Sequence, residues 1–200
     1  MKQKTIILGI TGSIAAYKAA DIVSGLTKSG YNVNVVMTKA GTKFITPLTL
    51  QTLSKNKVYT DVFQEDCPEE VKHITLAQNA DLLLIAPATA NIIGKLANGI
   101  ADDMLTSLYL AVKDIPMLIA PAMNTRMYEN KVVSDNLKKL TDSGFTLIEP
   151  KESILACGDV GKGALADVSD IISAVAAGLK LSAYHSQKPI ENRDCQEQSS

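Results

Sequence analysis

The sequence predicts a single α/β domain built on a doubly wound parallel sheet. Three observations lead there. Short apolar runs such as Leu82-Leu83-Leu84-Ile85-Ala86 are continuous rather than alternating, as expected for strands covered by helices on both faces. These runs alternate along the chain with segments of helical period, which gives parallel strands joined by right-handed crossovers. Finally, 200 residues with 46% hydrophobic content fill one core of that size.

In order, Thr5–Ile10 is a strand, followed by a helix over 14–29 that Ser29-Gly30 terminates. Asn32–Met37 is the second strand and Pro47–Ser54 a short helix. A strand over 81–86 is the most apolar, and helices follow over 91–97 and 104–112. A buried strand over 117–120, a helix over 132–143, a strand over 145–148 and a helix over 168–181 complete the pattern. This is a three-layer arrangement of the flavodoxin-like or Rossmann-like kind. Between the last strand and last helix, residues 151–167 hold three glycines and are expected to form a mobile flap. Residues 1–181 are expected to form the domain, and 182–200, polar and without period, a disordered tail that holds His185 and Cys195.

Composition excludes several classes. The net charge of −1 is spread along the chain without a basic stripe, so nucleic acid is not an expected partner. No apolar run approaches the roughly 20 residues of a membrane span. Lys2 and Lys4 precede an apolar stretch, as in a signal peptide, but Gly9, Thr11, Gly12 and Ser13 interrupt it. Three scattered cysteines (Cys67, Cys157, Cys195) and two histidines form neither a disulfide framework nor a zinc spacing, so a cytoplasmic location is expected.

The unusual loops all follow strands, at 9–13, 38–41, 87–91 and 121–126, which is where such sheets bind ligands. In Gly9-Ile10-Thr11-Gly12-Ser13-Ile14, glycine lets backbone approach a phosphate and Ser13 can cap a helix; a tight turn with no ligand reads equally well. Gly12 is followed by Ser-Ile-Ala with no third glycine, and Val35-Val36-Met37-Thr38 ends without an acidic residue, so this is not the dinucleotide fingerprint. Lys39 keeps a 2′-phosphate, and hence NADP, open; FMN fits better. Pro87-Ala88-Thr89-Ala90-Asn91 leaves room for a flat ring, with Thr89 and Asn91 either binding ligand or capping a helix. Asp102-Asp103 either binds a cation or caps a helix before Met104. His73 is the one histidine in the folded region. Cys157, in a glycine-rich stretch, is a better reactive thiol than Cys67, whose acidic neighbours raise a thiol pKa.

Together these segments resemble the flavin-containing cysteine decarboxylases, in particular those acting on phosphopantothenoylcysteine. The resemblance runs from Thr5 to about Leu181. Pro121-Ala122-Met123-Asn124-Thr125-Arg126-Met127-Tyr128 is similar to the family's P-x-M-N-x-x-M-W motif, His73-Ile74-Thr75-Leu76 resembles its histidine segment, and 156–163 resembles its substrate flap with a reactive cysteine. Tyr128 stands where many members have Trp, and Ala164 where some bifunctional members carry Arg. A stand-alone decarboxylase and one part of a fusion with a synthetase domain, the tail then beginning the linker, are both open readings.

The resemblance implies FMN-dependent decarboxylation of 4′-phospho-N-pantothenoyl-L-cysteine to 4′-phosphopantetheine and CO2. Its substrate is acylated on nitrogen and cannot form a Schiff base. The family instead oxidises the thiol to a thioaldehyde, loses CO2 to an enethiolate, and returns the electrons. The implied roles are Asn124 on the substrate carboxylate, His73 orienting the reacting group or assisting proton removal, and Cys157 protonating the enethiolate. Met123 and Ala156 join Asn124 and Cys157 in binding substrate. Gly12, Ser13, Ile14, Thr38, Thr89, Ala90, Asn91 and Ala122 contact FMN, no metal is used, and the protein is a homotrimer or homododecamer. Rival readings are a peptidyl-cysteine decarboxylase, a flavin prenyltransferase, which Asn124 and Cys157 oppose, and a non-enzymatic FMN-binding regulatory subunit.

Overall fold

A computed structural model describes residues 3–63, 71–154 and 160–185. Six strands form one all-parallel sheet: β1 (Thr5–Ile10), β2 (Asn32–Met37), β3 (Val58–Tyr59), β4 (Leu82–Ala88), β5 (Met117–Pro121) and β6 (Phe145–Leu147). Their order is β3-β2-β1-β4-β5-β6, the arrangement of two mononucleotide-binding halves joined at β1 and β4. The expected doubly wound sheet is therefore present.

Strand side chains alternate between two cores. Ile6, Leu8, Ile10, Leu82 and Leu84 pack with helices α1 (Ala19–Lys28), α2 (Pro47–Ser54) and α8 (Val168–His185). Ile7, Leu83 and Ile85 point the other way, to α3 (Lys72–Asn79), α4 (Ala90–Ala97), α5 (Met104–Ala111) and α7 (Lys131–Asp142). All seven residues of β4 are buried, which is why that strand shows no polar alternation.

The differences from the sequence reading are local. The helix expected over 14–29 begins as a 3-10 turn at Ile14–Lys18, in which Ala16 N–H donates to Ser13 O at 2.9 Å, and becomes α1 only at Ala19. The two-residue edge strand β3 and the largely polar helix α3, which buries only Leu76 and Ala77, carried too little apolar pattern to be read. A single turn, α6 (Thr125–Tyr128), follows β5. The glycine-rich stretch contains an antiparallel pair, β7 (Lys151–Ile154) with β8 (Val160–Ala164), forming a sheet of its own. The last helix runs to His185, past the expected boundary at 181; the remainder of the expected tail lies outside the described residues.

Candidate active site

Five strands of one sheet point their carboxyl ends at a cleft of about 1450 Å3, larger than the usual range for one small-molecule site. Outgoing connections of β1 and β4 diverge at the switch in strand order, so the cleft opens between them.

The loops after β1, β2 and β4 are locked together. The Thr11 hydroxyl, 1% exposed, donates to Pro87 O at 2.7 Å and accepts from Thr89 N–H at 3.0 Å. Thr89 then caps α4 by accepting from Ile92 N–H at 3.3 Å. Ser13 Oγ accepts from Ala15 N–H at 3.3 Å, and Thr38 Oγ1 from Gly41 N–H at 3.2 Å. A Cβ on Gly12 would stand 2.5 Å from Ala40 Cβ, and one on Gly41 would stand 2.8 Å from Ile10 O. Gly12 therefore lets the first two loops touch, a structural duty beyond the phosphate approach expected of it. Thr11 was not singled out from the sequence. The signal for it, a threonine directly after an apolar strand, is common to many loops that bind nothing.

The other wall is built by β5, α6 and β8. Ala122 N–H donates to Ala88 O at 3.0 Å, and Met123 N–H to Gly163 O at 2.9 Å. At Gly163, φ is +154°, and a Cβ would meet Met123 O at 2.4 Å, so only glycine lets β8 lie against this loop. Asn124 Oδ1 accepts from Arg126 N–H at 2.9 Å, which caps α6 and fixes the orientation of the amide. At the base of the hairpin, Tyr128 Oη donates to Glu149 Oε2 at 3.1 Å, and Lys162 Nζ lies 2.7 Å from the same oxygen. Burial, reinforced by the Glu149 charge and hydrogen bond, pushes the Tyr128 phenol up to about 12. Lys151 pairs with Asp167 at the start of α8.

Of the residues expected in the site, Gly12, Ser13, Ile14 and Thr38 line the cleft, as do Thr89, Ala90, Asn91 and Ala122. Met123 and Asn124 line it from the other side. His73 does not. It lies on α3, half-buried, and its Nδ1 has no hydrogen-bond partner among the described residues. Ala156 and Cys157 lie outside the described residues, in the stretch connecting β7 to β8. Of the two aspartates, Asp103 takes the capping alternative, in a reciprocal box with Thr106 at the start of α5, whereas Asp102 accepts from Lys95 Nζ at 2.8 Å. No cluster of three metal-binding side chains occurs among the described residues, nor any helix long and apolar enough to cross a membrane.

The family model "Flavoprotein" matches residues 1–180. The chain belongs to the flavoprotein family. This flavoprotein is 55% identical over 173 residues to a probable phosphopantothenoylcysteine decarboxylase of Streptococcus mutans, covering 86% of this chain and 97% of the relative. It is 46% identical over 193 residues to the coenzyme A biosynthesis bifunctional protein CoaBC of Bacillus subtilis, covering 96% of this chain but 47% of that protein. The flavoprotein thus spans about half the length of the bifunctional relatives. Among solved structures, a mutant PPC decarboxylase complexed with pantothenoylaminoethenethiol superposes with a TM-score of 0.82 at 36% identity, covering 88% of this chain and 98% of the other. The FMN-dependent cysteine decarboxylase SpaF gives 0.79 at 32%, covering 90% and 98%.

Proposed function

We propose that this flavoprotein binds FMN and decarboxylates 4′-phospho-N-pantothenoyl-L-cysteine to 4′-phosphopantetheine and CO2, a carboxy-lyase step of coenzyme A biosynthesis. The observation that carries the reading is the meeting of the two walls. A cradle of small and hydroxyl residues at β1, β2 and β4 faces a fixed Asn124 amide at β5, with room between them for more than one ligand. The relatives named above support both the cofactor and the substrate.

The residues present fit FMN. Ser13, Thr38 and Thr89 offer hydroxyls at three strand ends, Gly12, Ala90 and Ala122 leave space, and the exposed Ile14 side chain offers apolar contact to a flat ring. When bound, FMN supplies an acceptor for the two electrons of thiol oxidation and returns them after CO2 is lost. Asn124 holds the substrate carboxylate through a neutral amide, avoiding the repulsion of a second acid. Cys157 gives the proton that completes reduction of the enethiolate. The solved neighbour holding pantothenoylaminoethenethiol supports an ethenethiol on the path.

His73 orients the reacting group or assists proton removal. Because it does not line its own chain's cleft, that role is served across a subunit boundary, in a homotrimer or a homododecamer of such trimers. The exposed apolar side chains of Val71 (51%) and Ile74 (38%) beside it support such burial. Residues 1–181 form the catalytic domain, and the enzyme works in the cytoplasm.

The test is incubation of the FMN-loaded protein with phosphopantothenoylcysteine and, separately, with cysteine-ending peptides, identifying products by mass. Conversion of the phosphorylated conjugate to 4′-phosphopantetheine is expected. Decarboxylation of peptides alone would transfer the assignment to peptidyl-cysteine chemistry.

A further inference from the structure

After β2, Lys39 precedes the 3-10 turn Gly41–Lys43 and Lys43 ends it, and both line the cleft. Of the other cleft lysines, Lys95 is paired with Asp102, and Lys18 lies within electrostatic reach of the Asp167 carboxylate, which Lys151 already pairs. Among the described residues, Lys39 and Lys43 have no ion-pair partner. Two uncompensated ammonium groups on one cleft wall attract a dianion.

The turn that carries them is held firmly. Gly41 N–H donates to Thr38 Oγ1, Thr42 Oγ1 donates to Lys39 O at 2.9 Å, and Gly12 and Gly41 bring the turn against the β1 loop without space for a Cβ. Thr42 is thus committed internally, and the ligand-facing charge is that of the two lysines.

Their position matches the length of the substrate. β2, β1, β4 and β5 are consecutive in the sheet, so the loops after β2 and β5 are three strand spacings apart, about 14 Å. From cysteine carboxylate to phosphorus, the pantothenoyl arm has about twelve bonds, equivalent to four extended residues, or ~14 Å. With its carboxylate on Asn124, the arm ends at the lysine turn.

We infer that Lys39 and Lys43 form the subsite for the substrate's 4′-phosphate, and so select the phosphorylated cysteine conjugate over peptides ending in cysteine. The inference rests on the functional reading above. The phosphate of FMN is the alternative occupant; on the functional reading above, the hydroxyls of Ser13, Thr38 and Thr89 would hold it instead.

The test uses the FMN-loaded full chain and compares kcat/KM for phosphopantothenoylcysteine with that for pantothenoylcysteine, which lacks the phosphate. The wild type should favour the phosphorylated conjugate. In Lys39→Met/Lys43→Met that preference should fall by about 30- to 300-fold, as for loss of two charge-assisted contacts. Lys39→Arg/Lys43→Arg should retain most of it. An unchanged preference in the methionine variant overturns the subsite. So does loss of bound FMN with the preference intact, which assigns the lysines to the cofactor phosphate. If the wild type decarboxylates neither conjugate, the functional reading fails first and the subsite falls with it. If it decarboxylates both equally, only the subsite fails.

Discussion

The two walls of the cleft are built on different principles. On the side proposed for the cofactor, three loops that follow adjacent strands of the sheet are joined by buried hydroxyls, above all Thr11 between Pro87 and Thr89. On the side proposed for the substrate, the β5 loop is joined to a hairpin about 40 residues further along the chain by a backbone hydrogen bond, a glycine contact and half-exposed charges. The first wall is fixed by the sheet itself. The second is assembled from separate pieces, and each can be altered without unmaking the cradle. Cofactor binding and substrate chemistry should therefore come apart under mutation.

The largest separation is expected from Cys157→Ser. This variant should bind FMN and release CO2 yet accumulate the enethiol instead of the reduced product. Product mass analysis checks it, and full production of 4′-phosphopantetheine would remove Cys157 from the mechanism.

Thr11→Val should damage the cofactor wall. It strands Pro87 O and Thr89 N–H in a buried place, costing about 2 kcal/mol, or roughly 4–8 °C in Tm for a chain of this size. Flavin content should fall with stability, as followed by calorimetry and absorbance. A variant that keeps its flavin and its Tm would show that the wall does not depend on this hydroxyl.

Gly163→Ala should do the converse. Its Cβ overlaps Met123 O, so β8 must shift away from the Asn124 loop. Turnover should drop about tenfold, as for a cost near 1.4 kcal/mol, while flavin content stays near one per chain. Equal losses of flavin and turnover would join the two walls into one unit.

The smallest effect is expected at the hairpin base. Tyr128→Phe removes a partly exposed hydrogen bond worth about 0.5–1.5 kcal/mol. The Tyr128 pKa is raised in the folded protein, so its contribution is present below about pH 10 and is lost as pH rises through about 12. The stability gap between wild type and variant, measured by denaturation against pH, should be constant below pH ~10 and close above it. A gap that instead opens with rising pH would contradict the Tyr128–Glu149 assignment.

The same contrast governs what the sequence revealed. Buried strands such as β1 appear as apolar runs with correct limits, and hydroxyl residues after them mark the loops proposed for the cofactor because capping and ligand binding call for the same residue types. The substrate wall was legible only through a resemblance around Asn124. The pairing of β7 with β8 and the Met123–Gly163 bond join residues without a shared local pattern. His73 shows the limit: only a resemblance implied a role for it, and only the fold reveals that α3 keeps it out of its own chain's cleft.

The most direct test is Asn124→Asp, which replaces the amide at the carboxylate grip with a charge of the substrate's own sign. Flavin absorbance and CO2 release from phosphopantothenoylcysteine are measured on the same sample. The account predicts a yellow protein with wild-type flavin content and CO2 release reduced at least about 100-fold, as for a lost charge-assisted contact plus repulsion. Near-normal CO2 release would contradict the carboxylate grip, and loss of flavin would contradict the independence of the two walls.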